Sequence, residues 1–390
     1  MMYSVHPISL SVLDSIARGT FDSGAVSSLR RMRVSRTLML IRDIVSRDPE
    51  LQSAADAFSR AQKASPTAGE EVLAYPWVAA WAGRHTRLRD GDGAHFRAVA
   101  AAALLRSGLD APADLLTEPL LQLPGLGELA SANRRRSSCG AVDLDGPGWR
   151  AVHRVECGHG DMRLRITVDD LDPYRDCHDH PVSERLDGPT RDDWTELITG
   201  AWRLLTTYAP PMAGELATGL VSMVPLRSAP DLAASITHAD AFGGFATTKP
   251  VSPADLAVAM VHEFQHSKLN ALMDVFVLCE PDARRYTVAW RDDPRPLVGV
   301  IHGLYAFTAV ARLWSRLCHD PGLHDLASHN VATLRSQVMH SLAEVLDSPA
   351  LTPAGARFLA GVGAAVRGLQ DVRRRGSGRS RDGVSWIVRQ

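Results

Sequence analysis

The 390-residue chain has no excess of either charge, no cysteine framework and no long apolar run. Its 43 basic and 44 acidic residues give a net charge of −1, which excludes a global electrostatic attraction to nucleic acid or to an anionic membrane. The five cysteines form no Cys-x-x-Cys pair, so neither a disulfide scaffold nor a thiolate zinc site is indicated. No stretch reaches the roughly 18 uninterrupted apolar residues of a membrane span, and the first residues lack a secretory pattern. These absences predict a cytoplasmic protein without membrane or nucleic-acid partners.

The composition that remains is that of an ordinary globular protein, with 45% hydrophobic and 22% charged residues. Apolar residues recur at helical spacing through most of the first 110 residues, and Trp77 and Trp81 are spaced to pack helices together. Helical patterns return over 252–277, 297–318, 323–347 and 353–371. Between these regions, residues 149–168 alternate around a Gly-containing turn, which predicts a β-hairpin. We therefore expect a mainly helical α+β fold with a small sheet.

The composition changes near Leu123, where a segment rich in Gly, Ser and Pro predicts a loop or a boundary. We expect an N-terminal helical region over 1–140 and a region that carries the chemistry over 141–371, the two forming one integrated globular unit. The Arg-, Gly- and Ser-rich end over 372–390 is expected to be a flexible basic tail.

The strongest functional signal is the run His262-Glu263-Phe264-Gln265-His266. On a helix, residues four apart lie on one face, so the two histidines can present their imidazoles to one metal ion. Ser252 is a suitable N-cap and Pro253 suits the first helical position, which places the motif well inside a helix. We predict a metal site on this helix, packed against a second helix further along the chain.

A third ligand has to come from elsewhere in the chain. The longer metzincin motif is excluded, because Leu269 and Leu272 stand where it needs glycine and histidine. A thermolysin-like glutamate ligand is disfavoured, since Glu280 follows His266 by only 14 residues and precedes a proline. The next histidine is His302, on an apolar helical pattern between two glycines, and we expect it to complete the set. The alternative is that His302 is a hydrogen-bonded core residue.

Other histidines are weaker candidates. His238 lies in a Gly-containing segment before the motif helix and is a reserve ligand. His178 and His180 have a His-x-His spacing but sit in a polar stretch, which predicts exposed side chains.

The segment between the two helices carries Arg291, Asp292, Asp293 and Arg295 in close succession. Guanidinium groups bind carboxylates through paired hydrogen bonds, so these arginines could anchor a carboxylate co-substrate or a peptide terminus. An Arg–Asp network that only holds the loop is the alternative, and the sequence favours neither.

The blocks LAVAMVHEFQHSKLNALMD and VAWRDDPRPLVGVIHGLYAFTAVARLW resemble the HEXXH-motif proteins encoded beside ribosomally made peptide natural products. Such proteins occur alone or fused to radical-SAM peptide maturases. Four more segments, HPISLSVLDSIARG, YPWVAAWAGR, LPGLGEL and VDDLDPYRD, extend the resemblance over most of the chain, and residues 257–314 are its most specific part. The resemblance implies an iron(II)- and 2-oxoglutarate-dependent hydroxylase of β-carbons in a precursor peptide, working with other peptide-maturation enzymes.

Carried onto this sequence, the resemblance makes His262, His266 and His302 the iron ligands. It also assigns the segment 290–296, with Trp290, Arg291 and Arg295, to the 2-oxoglutarate pocket. Three protein ligands leave positions for the keto acid and for O₂, as in the facial triad, here with a third histidine in place of the usual carboxylate. Glu263 would orient a ligand or a water molecule.

Two other functions remain open from the sequence. In a zinc metallopeptidase, for example one that trims a leader peptide, the three histidines would bind zinc and Glu263 would be the general base. In a non-catalytic peptide-binding module of a maturation complex, none of these residues would be needed for product formation.

Overall fold

The computed structural model describes residues 8–88, 93–130, 144, 148–227 and 233–369. Helices make up 57% of it and strands 14%, so the predicted mainly helical α+β fold is confirmed. The predicted tail at 372–390 and the predicted boundary near residue 140 lie outside the described residues.

Helices dominate the first part of the described chain, as the apolar spacing predicts. They are α1 (Leu10–Ala17), α2 (Ser23–Arg47), α3 (Gln52–Ala64), α4 (Pro66–Leu73), α5 (Pro76–Leu88) and α6 (His95–Arg106). Trp77 and Trp81 on α5 are fully buried in an N-terminal core cluster, which confirms their predicted packing role. The long helix α2 connects the two cores, since Leu29 packs in the larger C-terminal cluster and Ile41 in the N-terminal one.

One buried histidine in the N-terminal core makes folding sensitive to acid. His95 is 6% exposed and lies against the rings of Trp81 and Tyr174. Burial lowers the pKa of its imidazole from 6.5 to about 3. The unfolded chain therefore takes up this proton at a higher pH than the folded chain does, and stability falls as the pH drops from about 6.5 towards 3.

Between pH 7 and pH 5, protonation of His95 should lower the free energy of unfolding of the native chain by about 2 kcal/mol. We expect His95→Phe, which cannot titrate, to lack this loss. Urea unfolding curves at pH 5, 6 and 7 would measure this loss for both proteins. Equal pH dependence in the two proteins would show that His95 does not couple folding to protonation.

The first sheet is antiparallel, with its strands in the order β1-β2-β3: β1 (Leu120–Leu123), β2 (Gly127–Ala130) and β3 (Trp149–Ala151). The prediction of a loop from Leu123 onward is thus wrong at its start, where β1 and β2 form a hairpin. The turn depends on glycines, because Gly125 has φ +64° and a Cβ at Gly127 would lie 2.3 Å from the backbone oxygen of Arg150.

A five-stranded sheet lies at the centre of the fold, in the order β4-β5-β6-β8-β7. Its strands are β4 (His153–His159), β5 (Met162–Val168), β6 (Ser222–Pro225), β7 (Ser235–Ile236) and β8 (Gly244–Thr247). Strands β4 and β5 form most of the hairpin predicted over 149–168, whereas residues 149–151 pair with β2 instead. Strands β5, β6 and β8 are parallel, and helices α7 (Gly188–Tyr208) and α8 (Pro210–Gly219) connect β5 to β6.

The C-terminal part contains the four predicted helices, which end one to four residues earlier than predicted. They are α9 (Pro253–Met273), α10 (Leu297–Leu317), α11 (His324–Ala343) and α12 (Pro353–Arg367). Between α9 and α10 the chain forms an antiparallel hairpin of β9 (Arg285–Val288) and β10 (Arg291–Pro296), interrupted by a bulge. The charged segment before α10 is therefore a strand.

The motif helix α9 packs against α7 and α10, as predicted for a pair of helices that carry one site. Within the described residues, α10 is the one helix with the length and composition of a membrane span. However, 78% of its most apolar 18-residue window is buried inside the fold, where α9, α11 and α12 cover it. It is a core helix.

Candidate metal centre

The motif helix begins as the sequence predicts. Ser252 Oγ accepts a hydrogen bond from the Asp255 amide at 3.2 Å and donates one to the Asp255 carboxylate at 2.6 Å. Pro253 occupies the first helical turn, where its missing N–H costs nothing. This cap fixes the start of α9 and therefore the positions of His262 and His266, which are 1% and 4% exposed.

Three histidine rings form one continuous group between α9 and α10. Nε2 of His262 lies 3.1 Å from Nε2 of His266, and Nδ1 of His266 lies 3.1 Å from Nδ1 of His302. The ring centroids are 4.7 and 5.3 Å apart. Two nitrogens that each lie about 2.1 Å from one ion at a right angle would be about 3 Å apart, so both spacings suit a pair of metal ligands.

The three rings do not yet point to a single position. His266 turns one ring nitrogen towards His262 and the other towards His302, so no point lies at ligand distance from all three residues. Accordingly, the described residues contain no group of three or more His, Cys, Asp or Glu side chains arranged to hold a metal. The rings must therefore reorient before all three can bind one ion.

The protonation of the group suits metal binding. Burial lowers the pKa of His262 to about 3 and that of His302 to about 4. Burial, together with the two neighbouring histidines, lowers the pKa of His266 well below its usual value. In addition, Nδ1 of His262 is buried without a hydrogen-bond partner. All three imidazoles are therefore neutral at pH 7, which is the form that binds a metal, and the donor set fits one.

Glu263 is hydrogen-bonded to the edge of the central sheet. Its two carboxylate oxygens accept hydrogen bonds from Ser235 Oγ at 2.5 Å and from Thr237 Oγ1 at 2.8 Å. Burial raises the pKa of Glu263 to about 7, although both hydroxyl contacts act to lower it. The carboxylate is thus anchored to strand β7 and the residue just after it.

Aromatic rings cover one side of the histidine group. Phe307 lies against His262 with ring centroids 4.9 Å apart, and Trp290 lies against Phe307 at 5.1 Å. Trp290 also packs over Gly303, where a Cβ atom would come within 2.5 Å of the indole. The predicted pocket residue Trp290 is thus next to the turn of α10 that carries His302.

The predicted arginine anchors form an ion-pair network on the β9–β10 hairpin. Arg291 Nε and Arg295 Nη1 lie 2.5 and 3.3 Å from the two carboxylate oxygens of Asp293. Arg295 also reaches α10, because its Nε lies 3.6 Å from the position of a Cβ on Gly299, one helical turn before His302. Both arginines are partly exposed, so they are accessible near the start of α10 while paired with Asp293.

The remaining histidines lie in another environment. His238, the reserve ligand, accepts a hydrogen bond from the Asp240 amide and packs against the ring of His178, with centroids 6.3 Å apart. The prediction that His178 is exposed is wrong, since it is 6% exposed and packs against Trp77. Although the residues around His178 are polar, this segment packs against α5, where His178 contacts Trp77. His180 is partly exposed.

Sequence reasoning missed the partners that define this site. Ser235 and Thr237 hold Glu263, and Phe307 lines the histidine group, yet none of them belongs to a recognisable motif. Phe307 gave no helical-face signal either, because five residues after His302 place it about 140° around α10 from that histidine. The two hydroxyl residues reach Glu263 through the pairing of β7 with β8, which local sequence does not specify.

No family model matches the chain, and no curated protein is significantly similar to it.

Proposed function

We propose that the chain is an iron(II)- and 2-oxoglutarate-dependent hydroxylase that acts on residues of a ribosomally made precursor peptide in the cytoplasm. The observation that carries this proposal is the continuous group of three neutral imidazoles contributed by α9 and α10. Three histidines without a carboxylate ligand leave positions on one side of the ion for other molecules. The HEXXH resemblance supplies the reaction class.

His262, His266 and His302 would hold the metal. When bound, iron(II) with 2-oxoglutarate and O₂ supplies C–H hydroxylation, in which one oxygen atom enters the peptide and the other enters succinate, with release of CO₂. Trp290 and Phe307 exclude water from the His262 side of the group. Arg295, near the end of β10, would bind the distal carboxylate of the co-substrate, with Asp293 fixing its guanidinium before binding.

The environment of Glu263 supports oxidation over hydrolysis. A metallopeptidase needs this carboxylate free to accept a proton from a metal-bound water. Here both of its oxygens accept hydrogen bonds from Ser235 and Thr237, which favours a structural role in fixing α9 against the sheet. A zinc peptidase is therefore the second candidate.

Glu263→Gln separates these two functions. Glutamine keeps the shape of the side chain, and the two hydroxyls can rotate to match its amide, so we expect hydroxylation to stay within about tenfold of the native rate. In a peptidase, loss of the general base would reduce turnover by roughly 10²–10⁴-fold. The measurement is the initial rate of product formation under matched metal loading.

The reaction itself is tested with protein purified without oxygen and loaded with iron(II). Addition of 2-oxoglutarate under nitrogen should produce a visible charge-transfer absorption, which requires no peptide. Exposure to O₂ with a short peptide encoded beside this chain should then yield succinate and a peptide heavier by one oxygen atom. Cleaved peptide without a need for 2-oxoglutarate would establish the peptidase instead.

A binding module is tested by the same assay. If peptide binds with the same affinity but neither succinate nor cleavage appears with iron or zinc, and His262→Ala leaves binding and maturation intact, the catalytic proposal is wrong.

A further inference from the structure

A pair of buried aspartates, well before the motif helix in the chain, faces a small cavity of about 10 Å³ between the first sheet and the end of β5. Its walls include Gln122 and Gly125 from the β1–β2 hairpin, together with Asp169 and Asp172 from the turn after β5. The two aspartates are 1% and 5% exposed. Two carboxylates are thus buried where two sheets meet.

Asp169 is fully engaged with its surroundings. Its Oδ1 accepts hydrogen bonds from the Leu171 and Asp172 amides, both at 2.9 Å, and its Oδ2 accepts one from the hydroxyl of Tyr75. The neighbouring Asp170 is also satisfied, by Arg185 and by the Leu186 amide. These contacts build a rigid acidic turn.

Asp172 differs from both neighbours. Its Oδ1 accepts from the Tyr174 amide at 2.9 Å, but its Oδ2 is buried without any hydrogen-bond partner. Arg175 forms no ion pair with it, because its guanidinium donates to the backbone oxygens of Asp172 and Ser183, although the charge of Arg175 acts to lower the pKa of Asp172. Among the described residues, neither Asp169 nor Asp172 forms an ion pair. A buried, unpartnered carboxylate oxygen is costly unless something binds it.

We propose that this cavity binds a calcium ion through Asp172 Oδ2, the second lone pair of Asp169 Oδ2, and neutral oxygens of the cavity wall and water. The donors in the cavity wall are oxygens, with no histidine or cysteine, which selects a hard cation over a transition metal. Calcium tolerates irregular coordination, whereas magnesium requires a near-ideal octahedron and retains several waters for which this cavity has little room.

The electrostatics agree with a cation here. Burial raises the pKa of Asp172 well above its usual value, and the charge of Asp169 raises it further. A divalent ion would remove both penalties and would tie the β1–β2 hairpin to the central sheet. The site is independent of the proposed hydroxylase function.

Calcium binding is tested by titrating chelator-treated full-length protein with CaCl₂ in a calorimeter and by following its melting temperature. We expect one ion per chain and a rise in Tm of about 3 °C at a hundred times Kd. Asp172→Asn should abolish both effects, whereas Asp161→Asn, which changes an exposed aspartate in the β4–β5 turn, should leave both unchanged. His302→Ala should also retain both, which separates this site from the histidine group.

Two outcomes overturn the proposal. If the native protein shows no calcium heat and no shift in Tm up to about 10 mM, the cavity holds only water. If calcium binds and Asp172→Asn retains the same stoichiometry and Kd, the ion is bound elsewhere. Should Asp172→Asn fail to fold, terbium luminescence of the native protein replaces it: emission sensitised by Tyr75 that calcium displaces at one equivalent supports the site, and its absence contradicts it.

Discussion

Replacing His266 by alanine should abolish product formation, with a loss of more than about 10³-fold, and should remove most of the bound iron. His266 is the central ring of the histidine group, since it lies within 3.1 Å of both His262 and His302. Without it, His262 and His302 lose the ring that lies between them and contacts both. Iron content by atomic absorption and succinate release would measure the two losses.

The loss should not reflect unfolding. Truncating a buried histidine leaves a cavity and costs about 1–3 kcal/mol, which a protein of this size tolerates. His95→Ala is the matched control, because His95 is buried to a similar degree in the N-terminal core cluster and lies outside the histidine group. It should lose similar stability while retaining iron and activity.

The single variants should also differ among themselves. His302 is partly exposed, and the rings must reorient before it joins the other two, so His302→Ala should retain more iron than His262→Ala does. If His266→Ala retains native iron content and activity, the histidine group is not the metal centre. If all three variants lose folding together, the rings are structural.

The core of this site could be predicted from sequence because it depends on a local period. His262 and His266 lie on one face of any helix, and the cap at Ser252 marks where that helix starts. His302 was reachable by elimination, since it is the next histidine on an apolar helical pattern. The ring orientations were not, because they depend on packing between α9 and α10.

The misses share a physical cause, which is pairing between segments distant in the chain. The β1–β2 hairpin lies in a Gly- and Pro-rich stretch that predicts a loop. The glycines there form the tight turn between two paired strands. His178 was expected in solvent because its neighbours are polar, yet it is buried against Trp77, about 100 residues earlier. Ser235 and Thr237 hold Glu263 only because β7 pairs with β8.

The largest stability effect should come from a buried ion pair between the motif helix α9 and α8. Lys268 Nζ lies 2.5 Å from Glu215 Oε2, and the two side chains are 1% and 3% exposed. The ring of Phe21 lies 5.4 Å from the ammonium, which adds only a modest cation–π attraction. Glu215→Gln leaves this charge uncompensated in the core, so we expect a loss of about 3–5 kcal/mol in the free energy of unfolding, measured by urea denaturation.

We attribute this loss in the free energy of unfolding to the burial of an unpaired charge and not to the loss of an ion pair in itself. Two further variants separate these two causes. Asp193→Asn breaks the exposed pair with Lys249 and should cost less than about 1 kcal/mol. The double variant Glu215→Leu with Lys268→Met removes both buried charges and should return to within about 2 kcal/mol of the native protein, because apolar groups of similar size avoid the desolvation cost. If Glu215→Gln costs no more than Asp193→Asn, Lys268 is not held as a buried cation, and α9 is fixed by its apolar contacts alone.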